Sequence, residues 1–225
     1  MKTRRNNKTR RDQAGPVRLM SKPSAIMNAA RKYKTIRTGL LFGSFNPVHI
    51  GHIAIAAYMK EFAGMEEIWF IVSPKNPFKR QDSLADPADR LEMVKLAIEP
   101  YKSFRASDVE FGMPVPSYTY DTMQKLTVDF PGREFSIITG TDNIGSIRKW
   151  KDGDKLIAVC DFLVYPRPES DAGAIEGFIS AKLVKAPMID VSSSFIRRSL
   201  SEGRDMRAFV PGAAYDFIEK KGLYR

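Results

Sequence analysis

The 225-residue chain has few of the residues that cross-link proteins or anchor them in membranes. Its one cysteine, Cys160, excludes a disulfide within the chain and is typical of a cytosolic protein. It has no run of eighteen apolar residues and no secretory signal segment, so we expect a cytoplasmic protein that does not enter a membrane. It also has no internal repeat, no low-complexity tract and no cluster of residues that forms a dedicated metal site.

The formal net charge of +10 is unevenly distributed. Residues 1–35 contain eleven basic residues and one acidic residue, whereas the rest of the chain has 25 of each. We therefore expect a basic, disordered extension over residues 1–35 and one folded domain over residues 36–225. The neutral charge of that domain argues against nucleic-acid binding by the folded part.

The extension itself has three interpretations. It binds nucleic acid or an acidic surface, it is an organelle transit segment, or it reflects the choice of start site, since Met20 and Met27 offer later starts.

Both histidines of the chain lie in the stretch His49-Ile50-Gly51-His52. An apolar run, a glycine and a short turn precede them, and a helical pattern follows, so the stretch is predicted to join a strand to the start of a helix. The unpaired N–H groups of a helix's first turn favour an anion. We expect both imidazoles to face a phosphate chain and to add positive charge, with Gly51 letting the ligand approach the backbone. The alternative is a pair of ordinary histidines that cap a helix.

Strand-like and helix-like segments alternate along the rest of the chain, which predicts an α/β, Rossmann-like, doubly wound parallel sheet. Strands are expected at 39–42, 68–72, 104–109, 135–138, 161–165 and 183–189. Helices are expected near 49–62, 87–98, 118–128, 193–200 and 212–221.

Two motifs resemble the HxGH nucleotidyltransferase superfamily. The run Gly43-Ser44-Phe45-Asn46-Pro47 followed by His49-Ile50-Gly51-His52 is similar to its GGTFDP and HxGH signature, and Val191-Ser192-Ser193-Ser194-Phe195-Ile196-Arg197 to its ISSTxIR motif. Class I aminoacyl-tRNA synthetases share the HxGH letters. The length of the chain and the lack of a KMSKS-like loop argue against a synthetase.

The middle of the chain resembles one family within that superfamily. Pro116-Ser117-Tyr118-Thr119-Tyr120-Asp121-Thr122-Met123 is similar to the SYTxDTL segment of bacterial nicotinate mononucleotide adenylyltransferases, and Ile138-Thr139-Gly140-Thr141-Asp142 to their IIGxD segment. The resemblance covers about residues 37 to 222. It implies transfer of AMP from ATP to nicotinate mononucleotide, forming nicotinate adenine dinucleotide and pyrophosphate in NAD biosynthesis, with Mg²⁺ on the triphosphate.

The resemblance also implies roles for residues. The catalytic residues are His49, His52 and Arg197; the ATP and phosphate-binding residues are Gly43, Ser44, Phe45, Gly51, Ser192, Ser193, Ser194 and Lys79; the acceptor-binding residues are Thr119, Asp142 and Trp150. Ordinary alternatives exist, because Ser117 can cap a helix, Trp150 can lie in the core and Lys79 can be a solvated loop residue. Asn46 replaces the aspartate of the family loop, which puts a carboxylate role there in doubt.

Other functions remain open on the sequence alone. Related enzymes use nicotinamide mononucleotide, phosphopantetheine, or CTP with small phosphates. A basic, non-catalytic nucleic-acid-binding protein on the same fold is a second class. The sequence leaves the oligomeric state open.

Overall fold

A central sheet of six parallel strands organises the computed structural model, which describes residues 35–75, 84–168, 175, 178 and 180–225. The strands are β1 (Ile36–Gly43), β2 (Glu67–Val72), β3 (Phe104–Ser107), β4 (Arg133–Gly140), β5 (Asp161–Tyr165) and β6 (Ala181–Leu183). Their order in the sheet is β3-β2-β1-β4-β5-β6. The order reverses between β1 and β4, which is where such a sheet opens a crevice at the carboxyl ends of its strands. The predicted Rossmann-like fold is confirmed.

Helices cover both faces of the sheet. They are α1 (Ile50–Phe62), α2 (Pro87–Ile98), α3 (Thr119–Asp129), α4 (Thr141–Ile144), α5 (Gly153–Val159), α6 (Ser193–Ser201) and α7 (Gly212–Lys221). Short 3₁₀ helices span Val109–Gly112 and Ile147–Lys149. The sequence predicted the bounds of five of the seven α-helices to within two residues. It did not predict α4 and α5.

Alternate residues of the strands pack into two separate hydrophobic cores, one on each face of the sheet, because side chains along a strand point to opposite faces in turn. Leu41, with its neighbours on that face of the sheet, packs against α1, α2, α6 and α7. Leu40, on the opposite face, packs with side chains of α3, α4 and α5. The sheet is therefore buried on both faces. This burial fixes the positions of the loops that leave the carboxyl ends of its strands.

The strand predicted at 183–189 is wrong: β6 ends at Leu183. Pro187 has no N–H to donate to a ladder. Val184 and Ala186 are buried in the core, and the N–H of Val184 donates to the carbonyl of Val164 at 2.8 Å, but the segment after Val184 does not continue as a strand.

Among the described residues, no helix is both long enough and apolar enough to cross a bilayer. The extension predicted over residues 1–35 lies outside the described residues except for Thr35, so its boundary stays a prediction.

Candidate active site

The loop from β1 to α1 lies at the switch point of the sheet, and its backbone is tied down by side chains from elsewhere. Arg90, a fully buried residue of α2, donates to the carbonyls of Ser44 at 2.6 Å and Ser73 at 2.8 Å. Arg90 also donates to the carbonyls of Ala85 and Pro74. One guanidinium thus joins the ends of β1 and β2, which fixes the loop relative to the sheet.

His49 and His52 lie side by side, as their spacing predicts. Their ring centroids are 3.7 Å apart, with 33° between the ring planes. The backbone N–H of His49 donates to Nδ1 of His52 at 3.2 Å. Because Nδ1 of His52 accepts, the neutral form of this ring carries its proton on Nε2. Phe45 packs edge-on against His52 at 5.0 Å and holds that ring in place.

His49 is neutral in the free protein. Burial lowers the pKa of its imidazole to about 4, and the nearby charge of Arg167 lowers it further in the same direction. The expectation that both imidazoles add positive charge is therefore wrong for His49, because its burial in the fold disfavours the charged form. Its contribution is a neutral ring that can donate or accept.

Two buried polar atoms of the site have no hydrogen-bond partner among the residues that the structure describes: Oγ of Ser44 and Nδ1 of His49. Buried polar groups are nearly always paired, because an unpaired one loses its hydration without compensation. Both atoms belong to residues that line the same cavity. They are the polar atoms of the site whose pairing the described residues do not supply.

The two glycines of the motif serve packing of the protein's own rings. A Cβ on Gly51 would lie 3.0 Å from the His49 ring, and one on Gly43 would lie 2.9 Å from the Phe45 ring. Contact with His49 is thus one reason for a glycine at position 51; Gly51 also lines the cavity, and the expected approach of a ligand to its backbone stays a prediction.

The second motif begins α6 beside this loop. Ser192 caps the helix and accepts from the N–H of Phe195 at 3.2 Å, as predicted for a serine at this position. Ser193 donates to the carbonyl of Pro47 at 2.9 Å, and Arg197 to the carbonyl of Asn46 at 2.8 Å. The start of α6 and the β1–α1 loop therefore form one unit.

A first cavity of about 630 Å³ lies over these elements. Among the predicted site residues, those that line it are Gly43, Ser44, Phe45, His49, Gly51, His52, Asp142, Ser192, Ser193, Ser194 and Arg197. Arg167, after β5, lines it too and pairs with Asp142, with 3.7 Å between Nε and Oδ2. The histidine and serine motifs thus meet in one cavity, as the sequence predicts.

A second cavity of about 460 Å³ holds Thr119 and Trp150 but not Asp142, which the structure places in the first. At its wall the buried carboxylate of Glu110 accepts from the hydroxyls of Ser117 at 2.6 Å and Thr122 at 2.9 Å. Ser117 does not cap α3, because Tyr118 is the N-cap residue. Glu110 instead holds the segment that carries Thr119.

Trp150 lies at the edge of this second cavity and packs against the core on the α3 face, so the alternatives of core residue and cavity residue both apply. Its Nε1–H donates to Oγ of Ser146 at 3.2 Å. That bond fixes the ring plane beside the cavity.

The two cavities share four lining residues: Phe42, Gly43, Ser44 and Asn143. A ligand in each cavity can therefore bring one end to the same place, at the carboxyl end of β1. This geometry suits the joining of two molecules.

The sequence did not predict the roles of Arg167, Arg90 and Glu110, and one predicted residue lies outside the part of the chain that the structure describes. Arg167 lies two residues after the end of β5, and a cation just past the carboxyl end of a parallel strand is a signal that could have identified it. Arg90 and Glu110 act through contacts across the fold that carry no local signal. Lys79 lies outside the described residues. Among those residues, no group of three potential metal ligands comes together.

Comparison with known proteins gives a consistent picture. A family model described as cytidylyltransferase-like matches residues 40–199. A Flavobacterium johnsoniae protein named probable nicotinate-nucleotide adenylyltransferase is 38% identical over 192 residues, covering 84% of this chain and 100% of that protein. A Bacteroides fragilis protein of the same name is 43% identical over 182 residues, covering 81% and 90%.

The fold also matches a solved structure. Nicotinic acid mononucleotide adenylyltransferase of Plasmodium falciparum, complexed with NaAD, gives a TM-score of 0.74 at 22% identity, covering 84% of this chain and 97% of that one. A likeness at this level of identity shows the shared fold.

Proposed function

We propose a chemistry for the two cavities from one premise: the chain belongs to the cytidylyltransferase-like family, in which it is a nicotinate-nucleotide adenylyltransferase of NAD biosynthesis. The reaction transfers the adenylyl group of ATP to nicotinate mononucleotide and releases pyrophosphate. The observation that carries the assignment of substrates to cavities is their junction at Gly43 and Ser44.

ATP is assigned to the first cavity and the mononucleotide to the second. A phosphate oxygen of the mononucleotide attacks the α-phosphorus of ATP in line, forming a new P–O bond. The bond from that phosphorus to the bridging oxygen of the β-phosphate breaks, and its electrons leave with pyrophosphate. The protein supplies position and charge rather than a covalent nucleophile.

The donors of the first cavity fit this charge distribution. We assign Nε2–H of His52 to the α-phosphate, where charge shifts in the transition state. We assign Ser44 Oγ and His49 Nδ1, which have no partner among the described residues, to the phosphate chain as well. Arg197 and the serines at the start of α6 bind the β- and γ-phosphates, since a helix start and a guanidinium both favour phosphate oxygens.

Thr119 and Trp150 are assigned to the nicotinate end of the acceptor, because they line the second cavity. Asp142 lines the first cavity, so we assign its carboxylate to hydroxyls of the ATP ribose rather than to the acceptor. Mg²⁺ bound together with ATP would neutralise part of the triphosphate charge. We place the reaction in the cytoplasm and retain Lys79 as a further phosphate contact predicted from the sequence.

The test is pyrophosphate release from ATP with nicotinate mononucleotide and, separately, with its amide. We expect faster turnover with the acid. His52→Ala should lower kcat by about 100-fold or more, because it removes a donor to the transition state. Lys60→Ala, on the same helix but outside both cavities, is the matched control and should behave as the unmodified protein does.

A folded His52→Ala protein with kcat within a few-fold of the unmodified one would falsify the role of His52. Equal or better turnover with the amide would overturn the acceptor assignment but leave the adenylyl transfer intact.

A further inference from the structure

Asn46, in the loop between β1 and α1, is held by donors from distant parts of the chain. It is 2% exposed. Its Oδ1 accepts from the backbone N–H of Ala85 at 3.0 Å and from the hydroxyl of Tyr224 at 2.8 Å. Its backbone carbonyl accepts from Arg197. The residue beside Phe45 is therefore fixed by the segment after α7 as well as by α6.

Tyr224 is itself held in an unusual conformation. Its φ is 67°, in the left-handed region that non-glycine residues occupy only when their surroundings compensate the cost. Its ring packs against the core on the α7 side of the sheet. Burial raises the pKa of its hydroxyl, while the charges of Arg197 and Arg90 lower it, so the hydroxyl is a neutral donor.

The Ser44–Pro47 loop, which Tyr224 contacts, includes a residue in a strained backbone conformation that also touches His52. Phe45 has a φ of 47° and packs its ring against His52. A loop in such a conformation keeps one geometry only if its neighbours define it. The hydrogen bond from Tyr224 to Asn46, the residue after Phe45, is one contact that holds the loop in this conformation.

We propose that Tyr224 is a positioning residue for the reaction: by holding the Asn46 side chain, its hydroxyl fixes the Ser44–Pro47 loop and, through Phe45, the ring of His52. The inference rests on the proposed function of the first cavity. Both partners of Oδ1 are donors, so this position requires an acceptor oxygen, which asparagine and aspartate both supply.

The first experiment is Tyr224→Phe in the full chain, assayed by pyrophosphate release. Losing one neutral hydrogen bond that orients the loop should lower kcat by about 3- to 10-fold, with KM for ATP and for the mononucleotide within about twofold. Tyr101→Phe is the matched control, because Tyr101 is exposed and stacks on Phe104 away from the cavities. Its kcat should not change. A kcat of Tyr224→Phe equal to that of the unmodified protein overturns the proposal.

A double-mutant cycle with Asn46→Ala tests the route. If Tyr224 acts through Asn46, Tyr224→Phe causes little further loss of kcat in the Asn46→Ala background, whereas independent effects multiply. A multiplied loss overturns the proposal.

A second measurement does not depend on the stability of the Tyr224 variant. Asn46→Asp keeps an acceptor oxygen and should lose less kcat than Asn46→Ala, and the reverse order contradicts the proposal. If the unmodified chain releases no pyrophosphate with any mononucleotide, the proposed function fails instead, and the two failures are distinct.

Discussion

At the scale of single residues, the charge state of His49 shows how tertiary contacts change a side chain that a motif identifies. The motif predicted that His49 and His52 would lie together. The loss of positive charge from His49 follows from its burial and from Arg167, a residue 118 positions later in the chain. No local pattern carries that information.

The buried His49 makes stability depend on pH. Its pKa is about 4 in the folded protein against an ordinary histidine value of 6.5, so between those values the unfolded chain binds a proton that the folded chain does not. The free energy of unfolding therefore falls as pH drops through this window. Urea denaturation from pH 7.5 to pH 4.5 should show a steeper decline than in His49→Gln, by up to about 1.4 kcal/mol per pH unit.

His49→Gln is the appropriate comparison because its amide does not titrate, while acidic groups elsewhere contribute equally to both proteins. Parallel curves for the two proteins would show that His49 does not carry the dependence.

At the scale of elements, the spacing of apolar residues predicted those strands and helices whose positions are determined by burial of an apolar face. Four strands, β1, β2, β4 and β5, and the five longest helices bury continuous or helical-period apolar patterns, and those patterns are visible in the sequence. The edge strand β6 was misplaced because the apolar residues that follow it, Val184 and Ala186, pack into the core although β6 itself ends at Leu183. The short α4 and α5 were missed because tertiary contacts, more than their own pattern, define them.

The junction between the 3₁₀ helix Ile147–Lys149 and α5 shows such a contact. A Cβ on Gly153 would lie 2.0 Å from the carbonyl oxygen of Ile147. The N–H of Gly153 also donates to the carbonyl of Trp150 at 3.0 Å. Gly153 thus lets α5 begin directly against the segment that carries Trp150 at the second cavity.

Gly153→Ala should therefore displace that segment. We expect a loss of about 1–3 kcal/mol in the free energy of unfolding. We also expect a higher KM for nicotinate mononucleotide, with little change in KM for ATP. Steady-state kinetics with each substrate varied, together with thermal unfolding, measures both effects.

Gly132→Ala is the control, because a Cβ there meets no atom within 4 Å. Equal increases in the two KM values for Gly153→Ala would indicate that α5 does not act on the second cavity alone.

At the scale of the whole molecule, the charge and the candidate site belong to different parts of the chain. All of the formal excess of +10 lies in residues 1–35, and the remainder is neutral. The described residues that line one or the other cavity all lie between Leu41 and Arg197. The cations of the site are therefore a few placed arginines and lysines within a neutral domain rather than part of a general basic surface.

Deleting residues 1–34 should accordingly leave catalysis unchanged while abolishing any binding to polyanions. We expect kcat and both KM values within about twofold of the full chain, because the described residues that line the two cavities all lie outside the deleted segment and salt weakens its long-range attraction. Binding of a labelled single-stranded RNA, titrated at low and at physiological salt, should be weak, salt-sensitive and confined to the full chain. RNA binding that persists in the shortened protein would assign the polyanion site to the folded domain. A shortened protein that stays folded but loses turnover would place part of the catalytic machinery in the first 34 residues.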